Sequence, residues 1–253
     1  MTATLLSAAL PFAAGIAGGA MNALAGGGTF ATLPALIGMG LPANIANATS
    51  NVSLLPGAAA SAHAFRKELT DLGGVPIRTL AAITFVGGLA GAMLLAWTPT
   101  TLFDVIVPWL LLFATVVLAA GPRAAAWLRA RITIRSPALL VAQGLLGIYG
   151  GYFGGGIGMV MTAIYGLLAG ASPRAMFAPR TLMLMVANGA AAIIFILIGL
   201  VAWAAAIPML AGGILGGWIG ARIGKQLKPI HIRVWTLLVS ASTTLVFFLR
   251  AYG

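Results

Sequence analysis

Two glycine triplets interrupt long apolar stretches of the chain, and they constrain its fold more than any other feature. The triplets consist of Gly26, Gly27 and Gly28, and of Gly154, Gly155 and Gly156. Each glycine costs a helix about 1 kcal/mol relative to alanine, so a continuous helix through either triplet is unfavourable. Inside a bilayer, non-helical backbone is tolerated only where it is buried in protein or lines a cavity. We therefore expect the two breaks to build a substrate site.

The composition indicates a membrane protein. Hydrophobic residues make up 61% of the 253-residue chain and charged residues only 7%, whereas about a quarter of the residues of a soluble domain are charged. The fold class expected is therefore all-α and polytopic. The net charge of +11 is explained by basic loops between membrane helices, not by a nucleic-acid partner. The chain has no cysteine, which excludes disulfides and thiolate chemistry.

Ten apolar segments follow one another along the chain, and two of them are short. The second would extend only about 18 Å as a helix and the seventh about 22 Å, less than the roughly 30 Å hydrocarbon core. Each follows a glycine triplet, so each pair forms either a re-entrant hairpin or two partly broken helices. The first segment lacks a basic n-region, so we interpret it as part of the fold and not as a signal peptide. The segments are predicted at 3–25, 29–40, 43–65, 77–97, 103–120, 136–153, 157–171, 174–199, 201–222 and 231–249.

The same order of features occurs twice, which indicates an internal repeat. In each half a glycine pair leads into a triplet, a short helix, a proline (Pro42 or Pro173) and then a long helix with polar residues near its start. We predict a first transmembrane repeat at 1–121, a basic cytoplasmic linker at 122–135 and a second transmembrane repeat at 136–253.

Basic residues cluster in three loops, near 66–78, 122–135 and 222–233, whereas the loops at 98–102 and 199–202 carry none. The positive-inside rule places the three basic loops in the cytoplasm and the two uncharged loops outside. Corresponding loops of the two halves then lie on opposite sides of the membrane, so the repeats are inverted and both termini are non-cytoplasmic. Paired helix breaks in inverted repeats are typical of secondary transporters that work by alternating access.

The run after the first triplet is more specific than the apolar segments. It comprises Leu33, Pro34, Pro42, Ala43, Ala46, Asn47, Ala48, Thr49 and Ser50. With the triplet and the weaker second copy, this run resembles the TauE/SafE family, also called the toluene-sulfonate uptake permease group, over essentially the whole chain. The resemblance implies transport of a small sulfur-containing organic anion, such as a sulfonate or sulfoacetate, or of sulfite, across the bacterial cytoplasmic membrane. The second copy departs from the first in having Arg180 near the position of Thr49.

Arg180 is the sharpest candidate for substrate contact, since it lies about 9 Å along the axis of an apolar helix. A guanidinium group presents a planar fork of donors that suits a sulfonate or a carboxylate. The three acidic residues, Glu68, Asp71 and Asp104, lie near segment ends, so we expect no carboxylate inside the membrane to neutralise Arg180. The alternative is that Arg180 snorkels to the cytoplasmic headgroups, beside Arg174.

Polar side chains of the long helices are further candidates for substrate contact. Asn44, Asn47 and Asn51 recur on one helix face, which we expect to turn inward because an asparagine facing lipid is costly. Hydrogen bonding between helices is the alternative, and it is favoured for Asn44, which lies nearer the helix end. The remaining polar candidates are Asn22, Thr49, Ser50, Thr181 and Asn188.

The glycine breaks also offer backbone N–H groups, and a helix N-terminus at membrane depth suits an anion. We predict that Thr29 is the N-cap of the second segment. Tyr152, beside the second triplet, is a candidate for substrate contact, with helix packing or an interface position as the alternative. The alternative is that the triplets only permit close helix packing, as we expect for the glycine series that begin at Gly87 and Gly212.

His63 is the only side chain that titrates near neutral pH inside a predicted span, so it is a candidate proton carrier. An interfacial or locally bonded histidine is the alternative. No HExxH, Walker A or CxxC motif occurs, so we predict no enzyme activity, no cofactor and no metal site.

The expected partners are a small anionic substrate, the lipid bilayer and a coupling ion, either H⁺ or Na⁺; a homo-oligomer is compatible with the sequence. Three functions remain open. They are a secondary transporter of a sulfur-containing organic anion, an anion channel that uses the breaks as a filter, and a transporter of a small organic anion without sulfur. A membrane scaffold is disfavoured because the chain has no soluble domain.

Overall fold

The computed structural model describes residues 2–129, 136–170, 172–224 and 226–253, which form ten α-helices. The predicted all-helical class is confirmed in these residues, and each predicted segment corresponds to one helix. The helices are α1 (Thr2–Ala25), α2 (Thr29–Gly38), α3 (Ala43–Ala64), α4 (Ile77–Trp97), α5 (Thr100–Arg129), α6 (Ser136–Tyr152), α7 (Ile157–Leu168), α8 (Pro173–Leu197), α9 (Trp203–Gly224) and α10 (Pro229–Tyr252).

Helix α5 is longer than predicted. The apolar segment was expected to end at residue 120, but the helix continues to Arg129 and takes in much of the predicted linker at 122–135. The alanine run after Pro122 explains the difference, because alanine has the highest helix propensity and needs no apolar environment to stay helical. Residues 130–135 of the linker lie outside the described residues.

Six of the helices are long and apolar enough to cross a membrane: α1, α4, α5, α8, α9 and α10. Helices α2 and α7 are apolar but too short to cross alone. Large apolar side chains such as those of Trp97, Val141 and Leu197 are more than 65% exposed. A surface of this kind is stable against lipid, so the chain is a multi-pass membrane protein.

Helices α1 and α9 pack in parallel, with their backbones in close contact. A methyl group placed on Gly212 would overlap Phe12, one on Gly216 would overlap Ile16, and one on Gly220 would lie 2.7 Å from the Cα of Ala20. The contacts advance by one helical turn on both helices at each step. Small residues at four-residue spacing are a common way to bring membrane helices this close.

Helices α4 and α6 pack in the same parallel manner. A methyl group on Gly87 would lie 3.0 Å from the Cα of Gly147, and one on Gly151 would overlap the backbone of Gly88. The glycine series that begin at Gly87 and Gly212 therefore form packing surfaces, as expected from the sequence.

Two further pairs of helices run antiparallel. Phe65 contacts Phe177 at one end of the α3–α8 pair, and Asn51 bonds Asn188 farther along it. In the α5–α10 pair, Trp109 bonds Tyr252 near one end and the hydroxyl groups of Thr115 and Thr244 lie 3.2 Å apart deeper in the bundle.

The two short helices form hairpins that enter the bundle from opposite ends. Helix α9 is parallel to α3, and their C-terminal ends define what we call the basic end, because Arg66, Lys67 and Arg222 lie there. Helix α1 runs toward the basic end and α2 returns from it. Helices α6 and α7 do the reverse, and Ala169, just after α7, contacts Gly73 in the loop between α3 and α4. The glycine triplets form the turns of the two hairpins.

Candidate functional site

The two glycine breaks lie directly against each other. The N–H group of Gly158 donates a hydrogen bond to the carbonyl oxygen of Gly26, at 3.3 Å. A methyl group on Gly26 would lie only 2.6 Å from the Cα of Gly158. Gly26, Gly154 and Gly156 all have positive φ angles, between 70° and 77°, a conformation that strongly favours glycine. The triplets are therefore required both for the turns and for the contact between the hairpins.

The predicted N-cap of α2 is wrong. Thr29 is the first helical residue, and Gly28 occupies the N-cap position without a side-chain cap. Asn22, from the preceding helix, approaches instead and accepts a hydrogen bond from the N–H group of Gly28, at 3.4 Å. The sequence could not indicate that Asn22 bonds this N–H group in place of Thr29, because the bond depends on how tightly the chain turns back on itself after α1.

Three asparagine side chains from α3 and α8 meet at the second break; we call them the asparagine cluster. Asn47 donates from Nδ2 to the carbonyl oxygen of Tyr152, at 3.1 Å, and Asn51 donates from Nδ2 to Oδ1 of Asn188, at 3.3 Å. All three side chains are at most 4% exposed. The Oδ1 atoms of Asn47 and Asn51 are buried and have no hydrogen-bond partner among the described residues. The cluster also lies beside Gly154, on which a methyl group would be 3.3 Å from Nδ2 of Asn51.

Arg180 is buried between α7 and α8. Its side chain is 8% exposed, donates one hydrogen bond to Oγ1 of Thr162 at 3.3 Å, and lies with Cζ 4.6 Å from the ring centroid of Phe177. No carboxylate contacts it among the described residues, which include all three acidic residues of the chain. As the sequence indicated, a guanidinium charge is held inside the bundle without a protein counter-ion.

Thr49 and Ser50 make bonds that hold helices together. Oγ1 of Thr49 accepts a hydrogen bond from the N–H group of Ala202, at 3.0 Å, just before α9 begins. The hydroxyl group of Ser50 is hydrogen-bonded to that of Thr32 in α2. Both side chains are fully buried. These bonds correspond to the interhelical alternative for polar residues in the third segment.

A cavity of about 500 Å³ lies among α1, α3, α8 and α9. Its lining extends from the exposed Glu68 at the basic end inward to Leu54 and Leu184, and its polar lining residues include Asn22, Ser61 and Thr181. Pockets of about 300–1,000 Å³ that are mostly apolar and carry a few polar groups are typical of small-molecule sites. Leu54 and Leu184 lie about one helical turn from Asn51 and Asn188, so the inner end of the cavity approaches the asparagine cluster.

The remaining predicted residues are placed as follows. Tyr152 is buried at the end of α6, and its ring packs edge-on against that of Phe103. Gly27 packs against Met159, and Gly155 accepts a hydrogen bond at its carbonyl oxygen from the hydroxyl group of Tyr149, at 2.8 Å. His63 is exposed in the last turn of α3 and is not among the residues that line the cavity.

The structure adds residues that the sequence analysis did not select. Thr162 bonds Arg180, while Phe177 and Ser61 line the cavity. The position of Phe177, three residues before Arg180, was a usable signal, since residues at that spacing share a helix face. Neither Thr162 nor Ser61 carries a comparable signal.

Comparison with known proteins gives consistent results. Residues 11–247 match the family model described as Sulfite exporter TauE/SafE. The chain is 30% identical, over its full length and 93% of the relative, to the probable membrane transporter protein YfcA of Escherichia coli K12. It is 29% identical to a probable membrane transporter protein of Haemophilus influenzae, over 93% of this chain and 92% of the relative. No solved structure matches the chain.

These matches confirm the family resemblance that the run after the first triplet indicated. The relatives are named as membrane transporters and not as enzymes, which is compatible with the predicted lack of enzyme activity. The multi-pass helical bundle with apolar outer surfaces agrees with that assignment. The chain belongs to the TauE/SafE family of membrane transporters.

Proposed function

We propose that this protein is a secondary transporter that moves a small sulfur-containing organic anion across the bacterial cytoplasmic membrane by alternating access. The observation that carries the proposal is Arg180, a buried guanidinium group that no carboxylate neutralises. The name of the family model, which refers to sulfite export, agrees with an anionic sulfur compound.

The electrostatics of Arg180 favour an anionic partner. Removing an ion from water costs several kcal/mol unless a partner compensates it. Guanidinium has five N–H donors, and Arg180 uses one of them on Thr162. A sulfonate or sulfite group can accept two parallel hydrogen bonds from the remaining donors and neutralise the charge. Phe177 stacks on Arg180 and also lines the cavity, so a small movement of this ring would bring the guanidinium group to the cavity wall.

The cavity gives the anion a route from the basic end. Arg66, Lys67 and Arg222 are exposed and adjoin the lining residues Phe65, Glu68 and Ala221 in sequence. Their three positive charges outweigh the one negative charge of Glu68 and raise the local concentration of anions. Farther in, Asn22 and Ser61 offer amide and hydroxyl donors, whereas the hydroxyl group of Thr181 already donates to the carbonyl oxygen of Phe177, at 2.7 Å. The basic end is cytoplasmic by the positive-inside rule, which leaves both termini outside and makes this conformation open to the cytoplasm.

The helix packing supports two inverted repeats. If the first five helices are exchanged with the last five, the parallel α1–α9 pair becomes the parallel α6–α4 pair. Both pairs pack through glycines. The same exchange maps the antiparallel α3–α8 and α5–α10 pairs onto themselves, as a two-fold axis in the membrane plane requires. Inverted repeats supply the two equivalent conformations of alternating access, with the breaks near the shared axis.

Binding and transport by purified protein test the proposal. Sulfite, sulfoacetate and taurine are compared with a carboxylate of similar size, first as ligands in detergent and then as counterflow substrates in proteoliposomes. Saturable binding of at least one sulfur anion and counterflow are expected. Large single-channel currents would instead show an anion channel, and preference for the carboxylate would reject the sulfur specificity.

Arg180→Ala is expected to abolish anion binding, whereas Arg180→Lys retains the charge and should weaken binding by about tenfold through loss of the planar fork. Arg250→Ala is the matched control, because Arg250 is exposed in the last turn of α10 and does not line the cavity. Melting temperatures identify variants that fail to fold. Unchanged anion affinity in a folded Arg180→Ala protein would contradict the proposal.

A further inference from the structure

We propose that the asparagine cluster, together with the C-terminal end of α6, is a binding site for a monovalent cation, with Na⁺ as the ion to test. The proposal rests on the function proposed above, since the cation would couple to the transported anion. The site is distinct from Arg180 and consists of Asn47 and Asn51 of α3, Asn188 of α8 and the backbone at the second glycine break.

The hydrogen bond of Asn47 shows which of its two side-chain polar atoms lacks a partner. The partner of its side chain is the carbonyl oxygen of Tyr152, which can only accept a hydrogen bond. The atom that faces this carbonyl must therefore be Nδ2, and the remaining atom must be Oδ1. This oxygen is buried without a partner among the described residues. A buried acceptor left unsatisfied costs about 1–3 kcal/mol, so the position favours a ligand that supplies positive charge.

Asn51 adds a second free oxygen one helical turn farther along α3. Its Nδ2 donates to Oδ1 of Asn188, and its own Oδ1 is buried without a partner among the described residues. Asn47 and Asn51 share a helix face because they are four residues apart. The amide nitrogens of both residues reach the short segment from Tyr152 to Gly154. Each free oxygen is bonded to the same carbon as its nitrogen, so both oxygens lie next to this break.

The backbone at this break adds to the negative potential. Helix α6 ends at Tyr152, and the last carbonyl groups of a helix carry the negative end of its dipole. The chain then turns at Gly154, with φ of +70°, beside the carbonyl oxygen of Gly150 and Oδ1 of Asn188. In secondary transporters generally, unwound carbonyls and the C-terminal ends of half-helices coordinate coupling cations.

The chemistry of these groups selects a monovalent cation. Amide and carbonyl oxygens are hard, uncharged ligands, and none of them takes up a proton near neutral pH. Ca²⁺ and Mg²⁺ sites depend on carboxylates, and no cluster of three acidic, histidine or cysteine residues occurs in the described part of the chain. A proton carried on the cluster is therefore excluded, and a divalent ion is disfavoured.

A cation held by neutral ligands would leave its charge uncompensated inside the bundle. An anion bound nearby in the cavity would offset that charge, so each ion should raise the affinity of the other by the same factor. This mutual stabilisation would favour transport of the anion together with the cation.

Cation binding can be tested without any anionic substrate. Purified protein is titrated with NaCl or KCl at constant chloride and ionic strength, balanced with N-methyl-D-glucamine chloride, while the melting temperature and binding of ²²Na⁺ are recorded. A saturable rise in melting temperature with Na⁺ or K⁺ is expected. Asn47→Ala and Asn51→Ala should raise the apparent Kd for the cation by about tenfold or more, equivalent to the loss of about 1.4 kcal/mol. Asn44→Ala should leave it unchanged, because Asn44 bonds the N–H group of Ile45 outside the cluster.

Asn51→Asp provides a second test that retains the side-chain shape. An anionic oxygen at this position should tighten cation binding and admit Ca²⁺, and lower cation affinity would contradict the site. Absence of any Na⁺ or K⁺ effect on the wild-type protein would overturn the proposal, even if sulfur anions are transported. Cation binding without anion transport would instead reject the proposed function and leave the site in place.

Discussion

Gly158 donates the hydrogen bond that joins the two hairpins, from its N–H group to the carbonyl oxygen of Gly26, at 3.3 Å. Gly26 belongs to the turn of the α1–α2 hairpin, and Gly158 belongs to the first turn of α7. The two hairpins enter the bundle from opposite ends, so their only direct backbone bond in the described residues lies where they meet. Any rearrangement that moves one hairpin past the other must change this contact.

Replacing Gly26 with alanine should disrupt both the turn and the contact. Its φ angle of +77° disfavours alanine by about 1–2 kcal/mol. The added methyl group would also lie 2.6 Å from the Cα of Gly158, and backbone cannot move aside as a side chain does. We expect a clearly lower melting temperature in detergent and loss of transport.

Gly40→Ala separates these two effects. Gly40 has a similar φ angle of +87°, but a methyl group there would meet nothing within 4 Å. This variant should show the conformational strain alone, with a modest loss of stability and retained transport. Equal losses in Gly26→Ala and Gly40→Ala would show that the contact with Gly158 contributes little.

Ser61→Cys should report substrate in the cavity. The chain has no cysteine, so the introduced thiol would be the only one, and Ser61 lines the cavity. On the proposed topology, a membrane-impermeant thiol reagent should label it from the cytoplasmic side, and the proposed anionic substrate should slow labelling severalfold by occupying the cavity. The measurement is the labelling rate in inside-out vesicles with and without anion.

His63→Cys is the matched control for this experiment. His63 lies two residues away on α3, is exposed and is not part of the cavity lining. Its labelling rate should therefore not respond to the anion. The same control bears on proton coupling, since a histidine outside the cavity should be replaceable without loss of transport. Failure of His63→Cys to transport would support His63 as a proton carrier.

A buried network should stabilise the α6–α7 hairpin. Gln143 donates from Nε2 to the hydroxyl oxygen of Thr84 at 2.6 Å, and its Oε1 accepts from the hydroxyl group of Tyr165 at 2.9 Å. Gln143→Leu leaves the Tyr165 hydroxyl group without its acceptor, which costs about 1–3 kcal/mol in a dry interior. We expect a melting temperature several degrees lower, with anion affinity little changed.

A double-mutant cycle with Tyr165→Phe tests the network directly. The double variant should be less destabilised than the sum of the two single variants, because Tyr165→Phe removes the group that Gln143→Leu leaves unsatisfied. Additive effects would show that the two side chains do not depend on each other.

The number of helices and most of their bounds followed from local sequence properties. Hydropathy marked the spans, and the glycine triplets marked the breaks, because both properties are local to one stretch of the chain. The lack of a carboxylate partner for Arg180 was also predictable, since the only three acidic residues lie near segment ends, but its burial was one of two alternatives. The end of α5 was not predictable from hydropathy, because its last turns are held by alanine propensity outside the apolar segment.

The tertiary structure decided which polar groups meet. Asn47 bonds a carbonyl group 105 residues away, and Asn51 bonds Asn188 across the two halves of the chain. The cavity likewise exists only because the ends of α1, α3, α8 and α9 leave space at the basic end. The sequence by itself determined a membrane bundle with two breaks and an arginine in an apolar helix, since these depend on local hydrophobicity and backbone freedom. Only packing between distant helices decided where those parts face one another and which asparagine oxygens remain free.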